Sequence, residues 1–249
     1  SFDSNLVKTG EAFALANIND FAKLAITWQT SGYFSAVEGV TNSDFASQVP
    51  SANITLSADI NLSDTGLTGL AKDRAPRIID GIDENSHSFA STLNGNGHTI
   101  SLAAGEPYGM RGNSNINDDD TSDGNGKIYR HGRLGLFAAT NGATVSNVTI
   151  AGSMKFDNGA AIDAGSLAGT IAGGLTLSGA TCKTNIACDD TFANDVNIGG
   201  IAGSASAAST VSLEGNSKAQ ATIAATKTLN GNSRIGGAIG YVGDYGSTF

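Results

Sequence analysis

Two hydrophobic patterns follow one another along the chain, and each predicts a different kind of element. In the stretch 17–28 the apolar residues recur three or four positions apart, at Ile18, Phe21, Leu24, Ala25 and Trp28. This spacing places them on one face of a helix. Asn19 or Asp20 can cap its N-terminus by accepting hydrogen bonds from free backbone N–H groups, and Gly32 can end it. We therefore expect one short amphipathic helix, whose apolar face covers the end of the core that follows.

From Asn53 onward the period changes to two, which predicts β-strands. The inward positions of the first such strand are Ile54, Leu56, Ala58, Ile60 and Leu62. A glycine-rich turn at 94–97 then leads into a second alternating strand, with Ile100 and Leu102 facing inward. The stretches 64–90 and 105–132 follow neither period. We interpret them as long inserted loops, which are the places to look for a binding surface.

Beyond residue 133 a short motif repeats, in the forms RLGLFA, SLAGTIA, NIGGIAG and RIGGAIG. With Leu134, Leu167, Ile198 and Ile235 taken as equivalent, the intervals are 33, 31 and 37 residues. A short strand follows each of the first three copies, and a glycine follows each strand, at Gly152, Gly179 and Gly215. A unit this small cannot bury its own apolar face, so the repeats indicate coils stacked along one axis.

These patterns together predict an all-β fold, a parallel β-helix (solenoid) with one N-terminal capping α-helix and long inserted loops. Residues 1–50 form an extended segment and the capping helix, and residues 51–249 form the β-helix, as one continuous domain. The composition agrees with this expectation: there are 33 glycines, and aromatic residues make up only 6%. Small residues suit a narrow core of thin, stacked layers.

The order of the motifs resembles that of the GLUG-motif proteins, which are repeat-containing bacterial surface and secreted proteins related to right-handed β-helices. The resemblance rests on NDFAKLA (19–25), ITLSADINL (54–62), LNGNGHTI (93–100), LGLF (134–137) and IGGIAG (198–203). It extends from about residue 17 to 243. It implies a right-handed, extracellular β-helix, commonly a module of a larger adhesin, cell-wall protein or secreted enzyme. It supplies no catalytic residues, and Ala138 stands where the family motif has glycine.

Charge and hydropathy exclude several classes of protein. The formal net charge is −9 and charged residues make up only 15%, with no basic patch, so nucleic acid is not an expected partner. There is no apolar run long enough to enter a membrane, and no uncleaved signal peptide at the start. Abundant apolar residues, at 40%, argue against simple disorder.

The acidic run at 117–126 is the best candidate for a ligand site. Asp119, Thr121, Asp123 and Gly124 reproduce the first half of a calcium-binding loop, with oxygen ligands at alternate positions and a glycine at the sharp turn. Arg130 occupies the position where a glutamate normally closes such a loop. A calcium site formed by Asp118, Asp119, Asp120 and Asp123 is one hypothesis, and a solvated acidic loop is the other. No other cofactor is expected.

The histidines and cysteines give weaker signals. His98 lies at a turn-to-strand junction on the side of Ile100, and we interpret it as a structural residue whose ring bonds a backbone group. His87 and His131 lie in the inserted loops, and no two histidines have metal-ligand spacing. Cys182 and Cys188 lie six residues apart, which allows either a local disulfide or two free thiols.

These observations leave three classes of function. We favour a non-catalytic structural or adhesive module at the surface of a bacterial cell. The alternative is a carbohydrate-active β-helix enzyme or a polysaccharide-binding domain, against which the scarcity of aromatic residues argues. The third is a self-assembling stalk or filament subunit, since no capping motif follows residue 237. The expected partners are therefore a host-surface or carbohydrate ligand, and other copies or further coils at the C-terminal end. The segment Ser1–Phe13 is a candidate strand for donation to such an edge.

Overall fold

The regular secondary structure in the part of the chain that the structure describes is nearly all parallel β-strand. The structure is a computed structural model, and it describes residues 13–18, 20–21, 53–62, 88–102, 133–156, 162–188, 196–225 and 232–243. The strands in these ranges are β1 (Phe13–Leu15), β2 (Ile54–Leu56), β3 (Ile60–Asn61), β4 (Thr92–Asn94), β5 (Thr99–Leu102), β6 (Arg133–Leu134), β7 (Phe137–Ser146), β8 (Thr149–Phe156), β9 (Ile162–Gly165), β10 (Ala168–Ser178), β11 (Thr181–Cys182), β12 (Asn185–Cys188), β13 (Val196–Gly199), β14 (Ala202–Ala205), β15 (Thr210–Glu214), β16 (Lys218–Ala219), β17 (Thr222–Ala225), β18 (Arg234–Gly236) and β19 (Ile239–Val242).

These strands form three sheets. Sheet 1 has the order β1-β2-β4-β7-β10-β14-β19, with β15 also paired to β10. Sheet 2 has the order β16-β11-β8-β12-β17, with β5 paired to β8 and β3 paired to β5. Sheet 3 has the order β18-β13-β9-β6. From β6 onward the chain visits sheets 3, 1 and 2 in a repeating cycle, which is compatible with a parallel β-solenoid.

The register stacks apolar side chains in files through the interior, each file having one residue from each successive coil. The longest file belongs to sheet 1 and consists of Phe13, Ile54, Leu93, Val145, Leu177 and Leu213. A second file, in sheet 2, consists of Ile60, Ile100, Ile150, Cys182 and Ala219. All but the last members of both files are nearly inaccessible to solvent. Burial of these files is the main source of stability, at about 1.5–3 kcal/mol for a fully buried large aliphatic side chain.

The corner between sheets 1 and 2 requires a left-handed backbone conformation in successive coils. Asn147, Gly179 and Gly215 occupy equivalent positions there, with φ angles of 49°, 63° and 56°. The interpretation of Gly152 as a member of this set is wrong, because Gly152 lies within β8, paired with Leu102. Asparagine tolerates positive φ better than other residues with a side chain, and so Asn147 takes the glycine's place.

The register also corrects the alignment of the repeats. Leu134 pairs with Ala164, which pairs with Ile198, so the equivalent of Leu134 in the second copy is Ala164 and not Leu167. Leu167 lies three residues further on, hydrogen-bonded to Phe137 and Ile201 at the turn from sheet 3 to sheet 1. The intervals are therefore 30, 34 and 37 residues.

Only a small part of the expected N-terminal helix falls within the described residues. Phe21 N–H donates to the Asn17 carbonyl at 3.2 Å, as in a helical turn, and Asp20 N–H donates to Asn17 Oδ1 at 3.0 Å. Asn17 therefore caps this turn, while Asp20 Oδ2 accepts the backbone N–H of Ala16, just before the turn, at 2.9 Å. Asn19, the other predicted cap, lies outside the described residues. Ile18 and Phe21 are buried, as their place on the apolar face requires. The remainder of the helix, residues 64–87 of the loop expected at 64–90, and the loop at 105–132 lie outside the described residues. Phe89, near the end of the first of these loops, is buried and pairs with Thr140 of β7. The domain boundary at residue 50 stays a prediction.

Candidate functional site

The acidic loop lies outside the part of the chain that the structure describes. Asp118, Asp119, Asp120 and Asp123, with His87, His131 and Arg130, fall in undescribed segments, so the calcium site stays a prediction. Among the described residues no group of three or more His, Cys, Asp or Glu side chains is placed to hold a metal ion. The candidate chemistry of the described part lies in two polar clusters.

The first cluster, which we call the corner pair, consists of His98 and Asp59 on adjacent coils. His98 Nδ1 lies 3.2 Å from Asp59 Oδ1, and the same carboxylate oxygen accepts the backbone N–H of Thr99 at 2.9 Å. The turn before His98 is held by its N–H, which donates to the Gly95 carbonyl. The ring thus sits at a coil corner, as expected, but its partner is a carboxylate and not a backbone group.

The contacts of the corner pair lower the pKa of Asp59. The hydrogen bond from the Thr99 N–H is the chief reason why the pKa of Asp59 lies below its ordinary value of 3.8. Desolvation opposes this shift of the pKa, while the hydrogen bond and the charge of the His98 ring add to it. The Asp59 side chain is 73% exposed, so water strongly screens its interaction with the His98 ring.

An imidazole oriented by a carboxylate is also the supporting half of a nucleophilic triad. Such a triad needs a hydroxyl or thiol within hydrogen-bond reach of the other ring nitrogen. Within the described part of the chain, no Ser, Thr or Cys side chain hydrogen bonds to the His98 ring. The contacts of the corner pair account for the shape of the turn and for the pairing of two coils.

The second cluster, which we call the inter-sheet cluster, centres on the Asp163 carboxylate between sheets 3 and 1. Asn197 Nδ2 donates to Asp163 Oδ1 at 2.7 Å, and Ser204 Oγ donates to Asp163 Oδ2 at 3.1 Å. Thr170 Oγ1 lies 3.5 Å from the same Oδ2 and 3.3 Å from Ser204 Oγ. Asn197 and Ser204 are buried, so these hydrogen bonds compensate for the desolvation of their polar groups.

The inter-sheet cluster extends to the surface through the last coil. Arg234 Nη1 donates to Asn197 Oδ1 at 3.5 Å, and the Arg234 guanidinium lies over the Tyr241 ring, 4.5 Å from its centre. Asn197 therefore connects a cation to a carboxylate through the two ends of its amide. Carboxylate, amide, guanidinium and an aromatic ring are also the groups that bind sugars, and this is the described surface where such chemistry comes together.

Cys182 is a free cysteine buried in the file of sheet 2, beside Ile150 and Ala219. Burial raises the pKa of its thiol to about 12, so the reactive thiolate is scarce at neutral pH. The structure thus has the free-thiol alternative at Cys182. The side chain of Cys188 lies outside what the structure describes, so the pairing of the two cysteines stays a prediction.

Sequence reasoning missed Asp59, Asp163 and the other members of the inter-sheet cluster. A signal for Asp163 exists, because the residue before the first apolar position of each repeat is polar: Arg133, Asp163, Asn197 and Arg234. When the repeats are aligned on Leu167, Gly-Ser precedes the second copy, and Asp163 is not recognised as the equivalent of Arg133 and Asn197. Asp59 carries no such signal, since only the stacking of β3 on β5 brings it to His98.

Comparison with protein-family models, curated proteins and solved structures gave no match to the chain. In the described residues, the structure contains no helix of the length and apolarity needed to cross a lipid bilayer.

Proposed function

We propose that this chain is a non-catalytic structural or adhesive module of a bacterial surface protein, outside the cell. In this proposal the solenoid is a right-handed parallel β-helix of the GLUG type, covered at its N-terminal end by the helix over 17–28. The rigid stack of coils holds the inserted loops at 64–90 and 105–132 away from the cell and presents them to a ligand on a host surface or carbohydrate.

The observation that carries the proposal is the use of polar side chains to join successive coils. Asp59 bonds His98 and Thr99 of the next coil, and Asp163 bonds Asn197 and Ser204 of the next coil. These carboxylates are engaged by donors from the fold itself, whereas a catalytic carboxylate has to be presented to a substrate. Hydrogen bonds of this kind stabilise the stack of coils, and they require no reactive group.

A polysaccharide-binding or carbohydrate-active β-helix is the second candidate, and the last coil favours it. Tyr241 is partly exposed, and the guanidinium of Arg234, which also donates to Asn197, lies over its ring. Sugar rings stack on aromatic faces. Asp163, which accepts a hydrogen bond from Asn197, supplies a carboxylate to the same cluster.

A polysaccharide screen separates the two candidates. We expect the chain to release no reducing ends from bacterial or plant polysaccharides, whether or not it is retained by them. Release that is lost in Asp163→Asn, or in a variant with Asp118, Asp119, Asp120 and Asp123 all changed to Asn, would make the protein an enzyme. Asp59→Asn is the matched control, because it removes a carboxylate from the distant corner pair.

The same screen tests binding without turnover. If the inter-sheet cluster is a sugar platform, Tyr241→Ala abolishes retention on a polysaccharide gel while Tyr241→Phe keeps it, because stacking needs only the ring. Equal retention of both variants assigns binding to another surface, and in this proposal that surface is the inserted loops.

A further inference from the structure

Asn–Gly pairs are the positions at which a protein chain modifies itself most readily. The backbone nitrogen of the glycine can attack the side-chain carbonyl carbon of the asparagine, because glycine has no Cβ to hinder the approach. The chain has six such pairs, and three of them, at 94–95, 96–97 and 141–142, fall within the described residues. These three are identical in sequence and differ in their surroundings.

The two pairs in the turn at 94–97 are held by hydrogen bonds on both reacting groups. The N–H groups of Gly95 and Gly97 donate to backbone carbonyls of an adjacent coil at 2.8 and 2.7 Å. Asn94 Oδ1 accepts the backbone N–H of Asn96 at 3.0 Å, and Asn96 Nδ2 donates to a carbonyl of the coil on the other side at 2.8 Å. The glycine nitrogens and the asparagine amides must therefore give up these bonds before they can react.

The third pair, Asn141 and Gly142 in β7, is not restrained in this way. Within the described part of the chain, the Asn141 side chain takes part in no hydrogen bond, and both residues of the pair are exposed. Exposure alone does not distinguish this pair, since Asn96 and Gly97 are exposed as well. The difference is that no hydrogen bond holds the Asn141 amide away from the next backbone nitrogen.

A β-bulge gives the backbone of this pair further room. On β10 the residues opposite Asn141 and Ala143 are Ala172 and Leu175, so two residues of β10 face Gly142 alone. A bulge of this kind interrupts the ladder of hydrogen bonds locally. Gly142 has a φ of 80°, and a Cβ atom added to it would meet nothing within 4 Å. The main chain at Gly142 therefore has space in which to bend into a cyclic imide.

We propose that Asn141 is a site of spontaneous deamidation, with solvent water as the only co-reactant. The Gly142 nitrogen forms a bond to Cγ of Asn141, and the bond from Cγ to Nδ2 breaks. Ammonia leaves with the proton that the Gly142 nitrogen loses, and a cyclic imide remains. Water then opens the imide at either of its carbonyls and yields aspartate or isoaspartate at this position.

Both products fit this place in the fold. Aspartate adds one negative charge at an exposed position, to a chain whose formal net charge is already −9. Isoaspartate adds one atom to the main chain of β7, at the bulge where the pairing with β10 is already out of step. The modified chain therefore keeps its coils, and the modified fraction rises with the age of the protein. This inference concerns the chain itself and is independent of the ligand that the proposed module binds.

The test is a time course of the full native chain at mildly alkaline pH, where loss of the proton from the glycine nitrogen speeds the attack. Peptide-level mass spectrometry measures the conversion of each asparagine. We expect conversion at Asn141 to be at least about tenfold faster than at Asn94 or Asn96, whose hydrogen bonds have to break first. An isoaspartyl methyltransferase with labelled S-adenosylmethionine then identifies isoaspartate in the peptide that contains position 141.

Two controls separate the effect of the fold from that of the sequence. In denaturant the three asparagines precede glycine in an unfolded chain, and their rates of conversion become similar. Asn141→Gln removes the signal at that position, because glutamine closes its larger ring far more slowly, and leaves the rates at Asn94 and Asn96 unchanged. Circular dichroism verifies that the coils stay folded during the time course.

Two outcomes would overturn the inference. The first is conversion of Asn141 in the native chain that is as slow as that of Asn94 and Asn96. The second is conversion of all three in the folded chain at the rate seen in denaturant, because the hydrogen bonds of the turn would then give no protection.

Discussion

At the scale of single residues, the pKa of an ionisable side chain depends on the groups of the neighbouring coil that it contacts. Asp59 is exposed, yet its carboxylate has a lowered pKa because a backbone N–H from the next coil is aimed at it. The pKa of Cys182 shifts in the opposite direction and is raised, because its apolar surroundings do not stabilise the charged thiolate. Neither property follows from the residue type or from its neighbours in sequence.

The corner pair predicts a pH-dependent part of the stability. The pKa of Asp59 is lower in the folded chain than the ordinary 3.8, so its contribution is present above that pH and is lost as the pH falls through the folded pKa. We expect Asp59→Asn to lower the melting temperature at neutral pH, and the difference from wild type to vanish at strongly acidic pH. We expect His98→Gln to retain most of the pH-dependent contribution of Asp59 to stability. The hydrogen bond from the Thr99 N–H, which this variant keeps, is the largest cause of the lowered pKa of Asp59. A difference in melting temperature between Asp59→Asn and wild type that stays the same at all pH values would contradict this explanation.

Cys182 is predicted to be unreactive in the native state. Its thiol is buried and its pKa is raised to about 12, so alkylation with iodoacetamide at mildly alkaline pH leaves it unmodified. Denaturant without a reductant exposes it, and peptide-level mass spectrometry then finds the modification. Labelling that also requires a reductant would show a bridge to Cys188 and would contradict the free thiol of the structure.

At the scale of elements, close approach of strands from sheets 3 and 1 depends on glycine. A Cβ atom added at Gly203 of β14 would overlap the backbone of Asp163 and Ala164 in β9. These are main-chain atoms of a hydrogen-bonded sheet and have no room to move. The glycines of the repeated motif therefore serve the packing of two strands against each other, whereas Gly179 and Gly215 serve the corner between sheets 1 and 2.

We expect Gly203→Ala to destabilise the chain by about 2 kcal/mol or more, through overpacking. The matched control is Gly237→Ala, in the same motif one coil later, where an added Cβ meets nothing within 4 Å. That variant is neutral or stabilises by up to about 1 kcal/mol, because alanine has less conformational freedom to lose. Chemical denaturation measures both, and equal losses of free energy would show that the close approach is not what requires glycine at 203.

At the scale of the whole molecule, the sequence predicted parallel coils because apolar positions with period two recur at intervals of about thirty residues. Ile54, Ile100 and Leu134 are buried as the alternation requires. The exact register could not be predicted from the sequence, since Leu167 and Ala164 are both apolar and both precede a glycine-containing stretch. Hydrogen bonds to the adjacent coil decide between them, and these depend on the length of every intervening loop.

The sequence by itself determined the class of fold, because hydrophobic periodicity and small residues leave few ways to bury this chain other than by stacking coils. Only the tertiary structure decided which side chains meet. Asp59 and His98 are 39 residues apart, and Asp163 and Ser204 are 41 apart, and stacking brings each pair within 3.2 Å. It also decided that Leu213, Ile235 and Val242 lie exposed. Their large apolar side chains are typical of interior residues, and whether they are exposed depends on whether another coil lies above them.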